Sequence, residues 1–147
     1  MKAREWLQRS REARDPIDAF SNAWRAFNHL YFPVNGKNER EKIRRYLEDS
    51  VDEATAERLL EEHDRELNYL TAEPVIDMRG NARDTAGNIE NFQDGGAAVR
   101  KLQEIFMIIY QVRCNLEHGQ KSPSRGRDVD LCRSACPLVE CIVDANA

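Results

Sequence analysis

Apolar residues return every three or four positions along most of this chain, and that spacing constrains its fold more than any other feature. Leu102, Ile105, Phe106, Ile109, Val112 and Leu116 form the most apolar such run. Ile17, Phe20, Trp24, Phe27 and Tyr31 form a second. An α-helix turns about 100° per residue, so each set lies along one stripe, whereas a strand would divide it between two faces. A packed all-α protein is the expectation.

The punctuation between the runs divides the chain. A short first helix is expected over Lys2 to Arg14. "DPID" restarts the chain, with Asp15 as cap, Pro16 in the first helical position and Asp18 near the positive helix end. "PVNGKN", Pro33 to Asn38, ends that helix, and a third follows with Ile43, Tyr46 and Leu47 facing inward. "SVDE", Ser50 to Glu53, has the form of a capping box and opens one charged helix running through Leu59, Leu60, Leu67 and Leu70. Ala72 to Gly96 contains Pro74, Gly80, Gly87, Gly95 and Gly96 and is expected to be a long loop packed on the bundle or draped over a partner. After the apolar run and the loop Gly119 to Arg127, Asp128 can cap a last helix carrying Leu131, Ala135, Leu138, Ile142 and Val143. The expectation is a single domain spanning 1–147, an antiparallel bundle of about five to six helices with one long loop.

Composition narrows the class. At 147 residues the chain is long enough for one proper core. Its longest strongly apolar run, "IFMIIY", is far too short to span a membrane, and "MKAREWLQRS" lacks the apolar centre of a secretory signal. A cytosolic, cytoplasmic protein without a membrane partner is therefore expected. Cys114, Cys132, Cys136 and Cys141 form no CxxC pair. Cys132 and Cys136, four apart, with His118 would be the zinc reading, but small thiols in a reducing cytosol account for all four, and no metal or cofactor is expected.

The formal net charge of −4 argues against a surface that binds nucleic acid everywhere, but leaves room for a local basic patch. One exists within "YQVRCNLEHGQKSPSRGRD", Tyr110 to Asp128: from Gln111 to Arg127, Arg113, Lys121, Arg125 and Arg127 face a single carboxylate, Glu117. Arg113 and His118 stand where the most apolar helix emerges into this loop. Arginine offers a planar, permanent charge matched to phosphate oxygens, and histidine exchanges protons near neutrality. RNA cleavage by the internal 2′-hydroxyl needs those two roles and requires no metal. Five residues of regular helix turn about 500°, leaving the two side chains about 140° apart. They converge only if the chain bends between Asn115 and Gly119, or if two subunits bring their copies together.

The spacing alone is weak, because with 17 Arg and 3 His about one such match is expected by chance. "RLLEEH", Arg58 to His63, is a second match, expected to lie on a solvated face inside an unbroken helix. Context distinguishes the first. "VRCNLEHGQKSP", at the end of an apolar helix and ahead of a final one, resembles the R-x4-6-H motif of the HEPN (higher eukaryotes and prokaryotes nucleotide-binding) superfamily, and more narrowly its Apea-like or related bacterial groups. "AWRAFNHLY", Ala23 to Tyr31, is similar to the helix such proteins carry upstream.

The resemblance implies a two-fold dimer whose two motifs form one composite cleft, with Arg113 and His118 as the catalytic pair. It implies RNA as substrate and a metal-independent endoribonuclease, in many members a toxin paired with a nucleotidyltransferase-type antitoxin, or a part of antiviral defence. Asn115 would help to orient phosphate or His118, Glu117 would tune the histidine, and Lys121, Arg125 and Arg127 would steer RNA. Where the family often has a polar residue directly after the arginine, this chain has Cys114. The same features also fit a HEPN dimer that binds nucleotide, RNA or a partner protein without cleaving. The plainest reading makes Arg113 and His118 helix-end residues. Asn28 and His29 either reach the cleft or are satisfied by neighbouring backbone, while Trp24, Phe27 and Tyr31 are core or dimer contacts.

Overall fold

The computed structural model describes residues 2–117 and 126–147. Its regular elements are α1 (Lys2–Glu12), α2 (Pro16–Tyr31), α3 (Glu39–Ser50), α4 (Glu53–Glu62), α5 (Asp64–Ala72), α6 (Ala86–Gln93), α7 (Ala98–Glu117) and α8 (Gly126–Asn146). The fold is all-α. Among the described residues no strand forms, and one isolated bridge pairs Ile76 with Asp84. No helix among them is long and apolar enough to cross a membrane.

α7 is the central element. Every residue from Glu104 to Val112 is buried, so this helix is covered on all sides rather than along one stripe. It packs against α3, α4, α5, α6 and α8, while α2 lies between α1 and α8. The α2 stripe reaches α7 through its rings: Phe27 is fully buried, with Phe106 at 5.2 Å, Trp24 at 5.3 Å and Tyr31 at 4.9 Å between ring centroids.

The number of helices exceeds the expected five to six for two local reasons. The segment expected as one helix from Ser50 to Leu70 breaks at His63, whose φ of −119° and ψ of 33° leave the helical region. Asp64 and Glu66 then sit in the first turn of α5, where the positive helix end favours them. Inside the expected 72–96 loop, Ile89 and Phe92, three apart, pack on the core and support the short α6. The capping box is also reassigned. Asp52 caps α4 by accepting from the Thr55 amide at 2.7 Å. Glu53 instead reaches across to α7, where its carboxylate accepts from the amides of Ala98 (2.7 Å) and Val99 (3.1 Å). A carboxylate from α4 thus satisfies two of the free N–H groups that begin the central helix.

The segment between α5 and α6 is organised by buried Asp77. Arg79 grips its carboxylate at 3.1 and 2.8 Å through two guanidinium nitrogens, and Asn81 adds a third donor at 3.0 Å. These hydrogen bonds, Arg79 first, hold the Asp77 carboxyl well below the usual carboxylate range, against the opposing effect of burial. Because the folded value is depressed, this contribution is complete above the unfolded carboxylate value of about 4 and is lost as pH falls below it. Urea unfolding free energy is expected to fall between pH 7 and pH 3, and to fall less in Asp77→Asn. An equal fall in both proteins would remove Asp77 from the explanation.

Candidate active site at the end of α7

α7 stays regular through Glu117, so Arg113 and Glu117 stand one turn apart on the same face. The Arg113 side chain is only 23% exposed. Its Nη2 donates to Glu117 Oε1 at 3.1 Å, and its Nη1 lies 3.5 Å from Glu39 Oε2 at the start of α3. Burial works against the guanidinium charge, but Glu39 and then Glu117 more than offset it, so Arg113 remains a fixed cation.

Glu39 is the hub of this cluster. The hydroxyl of Tyr31 donates to its Oε1, and the hydroxyl of Tyr110 donates to its Oε2 at 3.1 Å. Asn28 Nδ2 donates in turn to the Tyr31 oxygen at 3.0 Å. Burial above all, with Glu39 adding to it, raises the ionisation of Tyr31 well beyond neutral pH, and burial does the same for Tyr110. Both phenols therefore stay neutral donors and lock the Glu39 carboxylate in place. Arg40 lies over the Tyr110 ring at 4.8 Å. Cys114 is buried next to this group, and burial raises its thiol, which makes it an inert packing residue rather than a nucleophile.

A cavity of about 350 Å³ opens beside Arg113, walled by Glu117, Asn28, His29, Arg25, Trp6 and Trp24 among others. Asn28 and His29 thus do face the space in front of Arg113. Sequence reading passed over Arg25, although Ser21, Arg25 and His29 are spaced by four along α2 and mark a polar stripe. It also passed over Glu39, 74 residues from Arg113, which no local pattern connects to it.

The other expected site residues stand elsewhere or outside the description. His118, Lys121 and Arg125 lie outside the described residues. Asn115, two residues on from Arg113, projects from the other side of α7 and is 1% exposed. Its Oδ1 accepts from the Met78 amide at 3.1 Å and from Gln111 Nε2 at 3.0 Å, and its Nδ2 donates to the Ile76 carbonyl at 2.9 Å. Its amide secures the 76–78 segment rather than facing the Arg113 cavity. Asn115→Ala is expected to cost about 1–3 kcal/mol by leaving Gln111 and the part-buried backbone groups of Ile76 and Met78 without their partner, and to open Arg79 to trypsin. Unchanged stability and an unchanged digest would contradict that assignment.

Glu117 engages Arg113 directly. Arg127 donates to Glu73 Oε1 at 2.9 Å and to the carbonyls of Glu73 and Pro74 at 3.3 and 3.2 Å, so its guanidinium ties α8 to the end of α5.

The second Arg–His match also reads differently in three dimensions. It was expected inside an unbroken helix, yet α4 ends at His63. The His63 ring is engaged within the fold. Nδ1 lies 2.8 Å from the Leu59 carbonyl, which can only accept, so that nitrogen carries the proton. Nε2 lies 3.6 Å from Cys141 Sγ. Both ring nitrogens are occupied. Among the described residues no cluster of three or more His, Cys, Asp or Glu is arranged to hold a metal.

Comparison of the chain with protein-family models, with curated proteins and with solved structures finds no match.

Proposed function

We propose that this chain is a HEPN-type, metal-independent endoribonuclease acting through Arg113 and His118, in a cleft completed by a second copy of the chain. The observation that carries this reading is Arg113, a half-buried guanidinium fixed by Glu39 at the mouth of a polar cavity. It stands five residues before His118. In the reaction one histidine takes the 2′-hydroxyl proton, the 2′-oxygen attacks phosphorus, and the 5′-oxygen leaves as it is protonated. The products are a 2′,3′-cyclic phosphate and a 5′-hydroxyl. Arg113 stabilises the charge that gathers on the phosphoryl oxygens.

The ion pairs around Arg113 suit this role. Glu117 is 55% exposed, and exposed pairs four apart on a helix are worth only about 0.3–0.5 kcal/mol. An RNA phosphate can displace Glu117 at small cost, while Glu39 keeps the guanidinium aimed. That same pairing favours a second reading, a dimer that holds nucleotide, RNA or a protein partner without cutting. Purified protein incubated with total RNA and a chelator decides between them: cleavage that disappears in His118→Ala supports the enzyme, and intact RNA bound in a salt-sensitive way supports the binder. As a toxin or antiviral effector in the cytoplasm, the protein would slow growth when expressed. A nucleotidyltransferase-type antitoxin is the proposed partner that restrains it.

A further inference from the structure

The cavity beside Arg113 contains more than a phosphate-binding reading uses. Trp6, on α1, is only partly buried, whereas Ala3 and Leu7 on the same helix are each 2% exposed and carry the packing. Two guanidiniums lie over the Trp6 ring, Arg25 at 4.9 Å from its centroid and Arg9 at 5.2 Å. Neither has an ion-pair partner among the described residues. Trp24, in the wall of the same cavity, is 2% exposed, and its indole N–H has no acceptor. A buried donor left without an acceptor costs free energy, so this indole sits in the cavity wall with an unmet demand.

We propose that this cavity is a base subsite for single-stranded RNA, in which the Trp6 indole and Arg25 stack on one base while the adjoining phosphate meets Arg113. Every nucleobase has an apolar face that stacks on an aromatic ring or a guanidinium plane, and every one has ring-nitrogen or carbonyl acceptors on its edge. Trp6 and Arg25 supply the stacking partners. Arg–aromatic contacts at exposed positions are weak, so an entering base can take Arg25's place on the indole or slide between the two. The cavity volume of about 350 Å³ is at the small-ligand end of binding sites, enough for one nucleotide unit rather than a duplex. The placement of the phosphate rests on the function proposed for Arg113; the stacking on Trp6 does not.

The test compares adenosine 5′-monophosphate with ribose 5-phosphate, which differ only in the base, by calorimetric titration of the full chain. The nucleotide is expected to bind at least about tenfold more tightly. That advantage should vanish in Trp6→Ala and survive in Trp6→Phe, which keeps a stacking face. The ratio of the two affinities is insensitive to a general loosening of α1, and the comparison on the unmodified protein needs no variant to fold. Equal affinities, no measurable binding of either compound, or an undiminished advantage in Trp6→Ala would overturn the proposal. RNA cleavage assayed on the same preparations separates the two levels. A Trp6-dependent advantage without cleavage keeps the subsite and removes the nuclease, and cleavage without that advantage does the reverse.

Discussion

Arg113→Ala and His118→Ala are each expected to lower the rate of RNA cleavage by at least about a hundredfold, within the 10²–10⁴-fold range typical of one positioned proton-transfer group. The two losses should not multiply, because the residues act on the same transition state. Arg113→Lys should recover only a small part of the rate. A lysine ammonium is a point charge that cannot bridge Glu39 and a phosphate as the guanidinium fork does. Initial rates on a fluorescent oligoribonucleotide measure all three, and thermal melting confirms that the variants are folded. Rates within a factor of about three of wild type in Arg113→Ala and His118→Ala would place the chemistry elsewhere. Growth on expression should follow the same order, with toxicity relieved by either alanine.

The largest expected loss of stability is at Phe27. This ring is fully buried and contacts Trp24, Tyr31, Tyr46 and Phe106, so it joins α2 to both α3 and α7. Truncation to alanine leaves a cavity among rings that cannot collapse onto one another, at a cost of about 3–5 kcal/mol. For a domain whose total stability is about 5–15 kcal/mol, that removes a large fraction. Phe32, the same residue type 65% exposed just beyond α2, is the control: its alanine variant should stay within about 0.5 kcal/mol of wild type. Urea titration of both variants provides the comparison. A loss below about 1 kcal/mol at Phe27 would mean that the α2–α7 ring packing does not hold the domain together.

The parts of this protein that were legible from sequence are those governed by local periodicity. The α2 stripe from Ile17 to Tyr31 and the α7 run from Leu102 to Leu116 give away both helix and buried face, because every third or fourth residue repeats the signal. Asp15 and Pro16 similarly mark the start of α2 in two adjacent letters. His63 escaped because it breaks a helix without glycine or proline, helped by a ring that bonds back to Leu59. α6 escaped because its apolar signal is only Ile89 and Phe92 among Gly, Asn and Gln.

At the site, Arg113 stood out because a cation ends the most apolar helix, and Asn28 and His29 because they lie in "AWRAFNHLY", the stretch similar to the helix upstream of such motifs. Glu39 and its two tyrosines did not, since each contact closes over a turn or a long loop that no spacing rule anticipates. Asn115 looked like a polar neighbour of Arg113 in sequence. The helix's 100° step turns it to the other side of α7, where it binds Ile76 and Met78.

The most direct test of the central claim is the chemistry of the cut ends. A single-stranded oligoribonucleotide incubated with the purified protein in excess chelator should yield 2′,3′-cyclic phosphate and 5′-hydroxyl termini. His118→Ala, prepared in the same way, should leave it intact. Products carrying 5′-phosphates, cleavage that stops when divalent ions are removed, or equal cleavage by His118→Ala would contradict the assignment of Arg113 and His118 as a metal-independent catalytic pair.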